Sequence, residues 1–243
     1  MSFIIGALKI IFVLGFIVII HEGGHFVIAK LCKVKVNEFS VGFGKKIISK
    51  NKNGTQYTLR CIPLGGYVNM LGEEDFSEEE GSYSKAPILK RFLILIAGAT
   101  VNMIFGILVF FILASIVNNN IHIGLEVTQN YLVALGESVI KLFSGNVVAE
   151  QVVGPVGISN MIVNTNSIID FVYMMSVISI SLGVTNLLPI PGLDGGKIIL
   201  LLIELIRRKP LDEKTETRIT LLGLAFLLTI AVMVTVKDVT NIF

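Results

Sequence analysis

The chain has 243 residues, of which 53% are apolar and only 16% charged, and its mean hydropathy is +0.80. Soluble domains carry about 25% charged residues, so an ordinary soluble domain is excluded. The formal charge of +2 comes with no basic stripe interleaved with aromatics, which argues against a nucleic-acid partner.

The apolar residues gather in long runs rather than on alternating faces, the pattern of a membrane protein. The first run, 3–29, contains Lys9 and the polar cluster His21-Glu22-Gly23-Gly24-His25. No A-x-A-like cleavage site follows it, so it is expected to be a retained span rather than a secretory signal. Next, 34–41 alternates apolar and polar residues, 55–64 is similarly strand-like, and Asn53-Gly54 between them is a turn signal. These predict a short β-hairpin beside the spans, with Gly42, Gly44, Gly65 and Gly66 permitting bends. Glu73-Glu74-Asp75 and Glu78-Glu79-Glu80 read as solvated loop.

The run 92–117 is interrupted only by Thr100, Asn102 and Ser115 and is ample for a crossing. In the outer segment 118–167, Leu132, Leu135, Val139, Leu142 and Phe143 recur at helical spacing. They predict an amphipathic helix ending near Gly145-Asn146, lying on the membrane surface or packed on the bundle. The runs 171–188 and 219–236 complete four spans. The expected fold is an all-α membrane protein, a single domain over 1–243, with about four transmembrane helices and a membrane-associated β-hairpin after the first.

Eleven basic residues lie between Lys30 and Arg91 and five between Arg207 and Arg218, whereas Lys141 is the only cation in 118–167. The positive-inside rule therefore puts the 30–91 loop in the cytoplasm and both termini outside. Cys32 and Cys61 then lie where thiols stay reduced, and a disulfide framework is not expected.

Chemistry is concentrated in two places. His21-Glu22-Gly23-Gly24-His25 is an HExxH pattern, and on a helix the two imidazoles share one face and can reach a single metal. Two His and a Glu at membrane depth are costly unless paired or coordinated, which favours a metal over an idle polar cluster. A catalytic zinc takes three protein ligands and keeps one position open. His122 sits beyond the second span, on the opposite side from the basic loops, and reads as a loop histidine. Asp194 is the better third ligand, because its carboxylate is otherwise unpaired in apolar surroundings. It lies in Asn186-Leu187-Leu188-Pro189-Ile190-Pro191-Gly192-Leu193-Asp194-Gly195-Gly196, a helix-breaking segment suited to lining a wet cavity. With zinc bound, Glu22 is placed to act as general base in peptide hydrolysis. A helical substrate must first unwind, and the strand-like 34–64 segment is a candidate to receive it by strand addition. Asn102 and Asn186 are amides inside apolar spans, open to interhelical bonding or to a role toward substrate.

These motifs resemble the site-2 protease family of intramembrane zinc metalloproteases, in particular its regulator of sigma-E protease branch. The resemblance also runs through Gly42-Phe43-Gly44, Pro63-Leu64-Gly65-Gly66-Tyr67-Val68, the small-residue stretch ending at Asn102, and Gly154-Pro155-Val156-Gly157-Ile158. It implies a Zn2+ cofactor on His21, His25 and Asp194, Glu22 as catalytic base, and a part for Asn186 in substrate handling. It further implies a multi-pass protein of the bacterial inner membrane that cuts single-span proteins or peptides of the anti-sigma-factor, signal-peptide-remnant or pheromone-precursor type. Such cleavage commonly follows trimming by an upstream site-1 protease, in regulated intramembrane proteolysis. Two departures stand out: the 118–167 segment is too short for the PDZ domain many relatives carry, and Ala99 stands where the family commonly has proline. The competing expectations are a non-catalytic membrane metal- or substrate-binding protein and a metal transporter; Glu22 argues against both, because neither needs a base.

Overall fold

The computed structural model describes residues 2–73, 75–145 and 153–242. Among these described residues seven helices and two strands follow in the order α1 (Ser2–Leu31), β1 (Val36–Lys52), β2 (Thr55–Met70), α2 (Ile88–Val117), α3 (Ile121–Phe143), α4 (Pro155–Val163), α5 (Ile168–Asn186), α6 (Asp194–Arg207) and α7 (Glu213–Ile242). Four of them, α1, α2, α5 and α7, are long and apolar enough to cross a membrane. The four-helix expectation holds, as does the hairpin after the first helix.

At 30 residues α1 is about 45 Å long, more than a bilayer core requires. It ends at Leu31, and Lys33 two residues on, with a φ of 64°, turns the chain left-handed. Val34 N–H then donates to the Ala29 carbonyl at 2.9 Å and Lys33 N–H to Lys30 at 3.0 Å, so the last turn's carbonyls are satisfied.

The hairpin is longer than its sequence pattern suggests, because its glycines bend the strands without ending them. β1 and β2 are antiparallel, joined by Asn53-Gly54 with φ of 50° and 76°, the primed turn that suits a twisted hairpin. Register shifts recur around 41–48. There Gly42 (φ 85°) comes so close to β2 that a Cβ would stand 2.5 Å from the Ile62 carbonyl oxygen. The bend sets the 66–70 run against the 36–41 run, and Val36 and Met70 bury against Ala29, Tyr83 and Ile94.

α2 is the central helix, packing on α1, α3, α5 and α6. α3 turns back along α2, with Gly124 against Ser115 and the Tyr131 ring stacked on Phe110 at 4.6 Å. Of the two placements open in the sequence, the helix takes the one on the bundle. It ends at Phe143; Asn146 lies outside the described residues, as does Glu74 of the acidic run.

Two intramembrane charges find partners at the ends of α4. The Lys9 ammonium donates to the Thr165 carbonyl and hydroxyl at 2.6 and 3.2 Å, beyond the helix C-terminus. Asp238 of α7 accepts from Gly154 N–H at 3.4 Å and Gly157 N–H at 2.8 Å, capping the N-terminus, which accounts for the Gly154-Pro155-Val156-Gly157 motif.

Candidate active site

HEGGH lies in the C-terminal half of α1, and the face carrying its histidines packs on α2. Gly24 makes the contact close: a Cβ there would lie 2.7 Å from the Ala97 carbonyl oxygen. α5 ends at Asn186, and the 187–193 loop folds back over the first turn of α6, where Gly195 and Gly196 leave room for the Leu188 and Ile190 carbonyls. This fold-back starts α6 at Asp194 and points its carboxylate at α1, with the helix N-terminus favouring the negative charge.

The three sequence-predicted ligand residues meet. His21 Nε2 and His25 Nε2 are 3.2 Å apart, and Asp194 Oδ2 is 3.1 Å from the first and 3.3 Å from the second. Both imidazoles are buried, at 7% and 8% exposure. Among the described residues this is the one group of three or more His, Cys, Asp or Glu close enough to share an ion, and His122 is not part of it.

A tetrahedral zinc with bonds of about 2.0–2.1 Å holds its ligand atoms about 3.3 Å apart. The near-equilateral triangle of ligand atoms has that size, and two nitrogens with one carboxylate oxygen form a donor set zinc accepts. The residues fit the ion.

The triangle opens into a cavity of about 740 Å³, lined by Glu22, the 67–70 run of β2, Asp75, Lys197 and Glu216. Lys197 Nζ bonds Glu73 Oε1 at 2.8 Å, linking the loop after β2 to the first turn of α6. Behind it Arg91 Nη1 donates to both oxygens of Glu204, at 2.9 and 3.0 Å. The Tyr83 ring lies against the Arg91 guanidinium, and burial pushes its hydroxyl up to about 12.

Residues 9–230 match Peptidase family M50. The chain belongs to that family. It is therefore a site-2-type metalloendopeptidase of the membrane, multi-pass, with zinc as its cofactor and a membrane protein as its substrate. Three bacterial proteins named "Putative zinc metalloprotease" are among its relatives. That of Fusobacterium nucleatum is 28% identical over 330 aligned positions, covering 95% of this chain and 97% of its own length. That of Clostridium acetobutylicum is 27% identical, covering 93% and 94%. That of one Helicobacter pylori strain is 45% identical over 109 positions, 43% of this chain and 31% of its own. The 330-position alignment exceeds this M50 peptidase's length, so the Fusobacterium protein carries residues with no counterpart here.

The two asparagines go to different places. Asn102 is fully buried on α2, with Nδ2 3.4 Å from His21 Nδ1, on the side of the ring away from the cavity. Asn186 is half-buried at the end of α5, ahead of the fold-back loop. Sequence reasoning gave no role to Gly98, yet the α2 backbone at Gly98 runs beside both Nε2 atoms. Its signal in the sequence was weak: a glycine in a span has many ordinary uses.

Proposed function

We propose that His21, His25 and Asp194 hold the zinc and that Glu22 is the general base of an intramembrane endopeptidase acting on single-span membrane proteins or peptides. The observation that carries this reading is the 3.1–3.3 Å triangle of ligand atoms at the head of a cavity that also holds Glu22. When bound, zinc supplies Lewis acidity, polarising a carbonyl and lowering the pKa of water to about 7. Glu22 takes the proton from the attacking water and passes it to the leaving amine.

The substrate lies along the 67–70 run of β2. That run bonds β1 on one side and lines the cavity on the other, so an unwound segment can add as a strand and present its scissile carbonyl. Asn186 assists substrate handling at the start of the fold-back loop. Substrates are of the anti-sigma-factor, signal-peptide-remnant or pheromone-precursor type, trimmed first by a site-1 protease, in regulated intramembrane proteolysis. The basic 30–91 and 207–218 segments face the cytoplasm of a bacterium, the protein sits in its cytoplasmic membrane, and both termini lie outside. One domain over 1–243 carries the activity.

The test is co-expression with a panel of single-span substrates. Glu22→Gln is expected to bind zinc normally and to lose cleavage by at least about a hundredfold, the lower range of general-base contributions. A Glu22→Gln protein that cleaves at the wild-type rate overturns the assignment.

A further inference from the structure

We infer that Asn102 is a positioning residue for the metal site: its side-chain oxygen accepts the Nδ1–H of His21 and thereby leaves Nε2 bare for the ion. The inference rests on the reading of His21 as a zinc ligand and adds a residue that the cavity does not touch.

The two imidazoles need the same tautomer, protonated at Nδ1 and bare at Nε2, since both Nε2 atoms face Asp194 Oδ2 and each other. For His25 the partner is plain. Its Nδ1 donates to the Ile94 carbonyl at 2.7 Å, on the first half of α2. For His21 the polar side chain at Nδ1, among the described residues, is the Asn102 amide, two turns further along α2.

The amide has two orientations about its Cβ–Cγ bond. With Nδ2 toward the ring, Nδ1 becomes an acceptor, the His21 proton is forced onto Nε2, and it points into the ligand triangle. In that orientation Asn102 Oδ1 is buried with no hydrogen-bond partner, in a side chain that is 0% exposed. A half-turn brings Oδ1 to His21 Nδ1, gives the oxygen its donor and moves the imidazole proton to the side away from the triangle. The half-turn leaves the amide nitrogen in the oxygen's former place, so the second orientation is chosen by the ligand triangle, where both Nε2 atoms must be bare to hold an ion.

The amide is also held from behind. The Ser179 hydroxyl of α5 donates to the Asn102 backbone carbonyl at 2.9 Å. α2 thus carries both outer partners, Ile94 for His25 and Asn102 for His21, and one rigid helix sets the tautomer and rotation of both ligands. Outer partners of this kind raise ligand basicity, and their loss commonly costs about ten- to a hundredfold in metal affinity.

The experiment measures zinc affinity by chelator competition on the purified full chain, for wild type, Asn102→Leu, Asn102→Asp and His21→Ala. Asn102→Leu keeps the shape without an acceptor and is expected to weaken zinc binding about ten- to a hundredfold. Asn102→Asp supplies only acceptors and is expected to match or exceed wild type. Nitrogen NMR of zinc-loaded wild type, with labelled histidine, is expected to show His21 protonated at Nδ1. Unchanged affinity in Asn102→Leu, equal damage in both Asn102 variants, or an unprotonated His21 Nδ1 overturns the inference. The NMR result decides the matter even if Asn102→Leu fails to fold. Zinc retained at full affinity by His21→Ala would instead sink the ligand assignment on which it rests.

Discussion

Gly98 of α2 lies against His25 of α1 so closely that a Cβ at position 98 would stand 2.4 Å from His25 Nε2, and 2.8 Å from His21 Nε2. No real Cβ tolerates such contacts, so alanine there must displace α2 or rotate the imidazoles out of the ligand triangle. A shift on the order of one ångström at a catalytic centre costs about a hundredfold in rate. Gly98→Ala is therefore expected to lose cleavage by about that factor and to bind zinc weakly. Gly136→Ala on α3, where a Cβ would meet nothing within 4 Å, is the matched control and is expected to behave as wild type. Wild-type zinc affinity in Gly98→Ala would show that the helices yield at this point.

Zinc removal should cost folding stability as well as activity. An ion bound only by the folded chain adds about 2.7 kcal/mol when present at a hundred times its Kd. The proposed ligands come from helices far apart along the chain, α1 and α6, so that increment is a tie between elements otherwise joined through α2. Thermal unfolding in detergent is expected to shift upward on zinc addition for wild type and to stay put for His21→Ala and Asp194→Asn. A full zinc-dependent shift in Asp194→Asn would remove the aspartate from the ligand set.

Much of this was legible in the sequence because its signals are contiguous. The apolar runs mark α1, α2, α5 and α7, the Asn53-Gly54 turn marks the hairpin, and His21, Glu22, His25 and Asp194 stand in short motifs. What was not legible depends on contacts between segments distant in the chain. The fold-back of 187–193 makes α6 a separate helix, because Gly195 and Gly196 admit the preceding carbonyls; the sequence shows only the glycines. The burial of Asn102 behind His21 follows from how α1 and α2 cross, which no local pattern encodes. The strands of the hairpin run past their alternating stretches because cross-strand pairing continues through the glycine bends.

Arg91 and Glu204 form a two-point ion pair, each side chain 15% exposed, that ties the start of α2 to α6. Removing one partner strands the other charge near the membrane boundary, and breaking a buried pair in this way costs about 3 kcal/mol. Arg91→Met and Glu204→Leu are each expected to destabilise by about that amount. The double variant leaves no stranded charge and is expected to recover much of the loss, a coupling that a double-mutant cycle on unfolding midpoints would measure. Strictly additive losses would mean that the pair contributes only through packing.

Arg60 is the staple of the hairpin bend. It donates to Glu38 Oε1 at 2.8 Å, the Tyr67 hydroxyl at 2.6 Å, the Ser40 hydroxyl at 2.9 Å and the Gly44 carbonyl at 2.8 Å. Burial pushes the Glu38 carboxyl up, but the hydrogen bond from Arg60, with the Arg60 and Lys46 charges, outweighs it and holds the group below its ordinary range. A carboxyl whose folded value lies below its unfolded value stabilises the fold above the unfolded value, about 4.3 for Glu, and loses that contribution as pH falls through the folded value. Amide exchange protection across 36–70, corrected for intrinsic rates, is therefore expected to be full at pH 6 and reduced at pH 3. In Glu38→Gln it should be lower at pH 6 and nearly flat with pH. Because the 67–70 run lines the cavity, Glu38→Gln is also expected to lower cleavage severalfold through a weaker hold on substrate while zinc affinity stays at the wild-type level. Glu38 is the only carboxylate in 36–70, so a pH response as large in Glu38→Gln as in wild type would place the titrating group outside the hairpin.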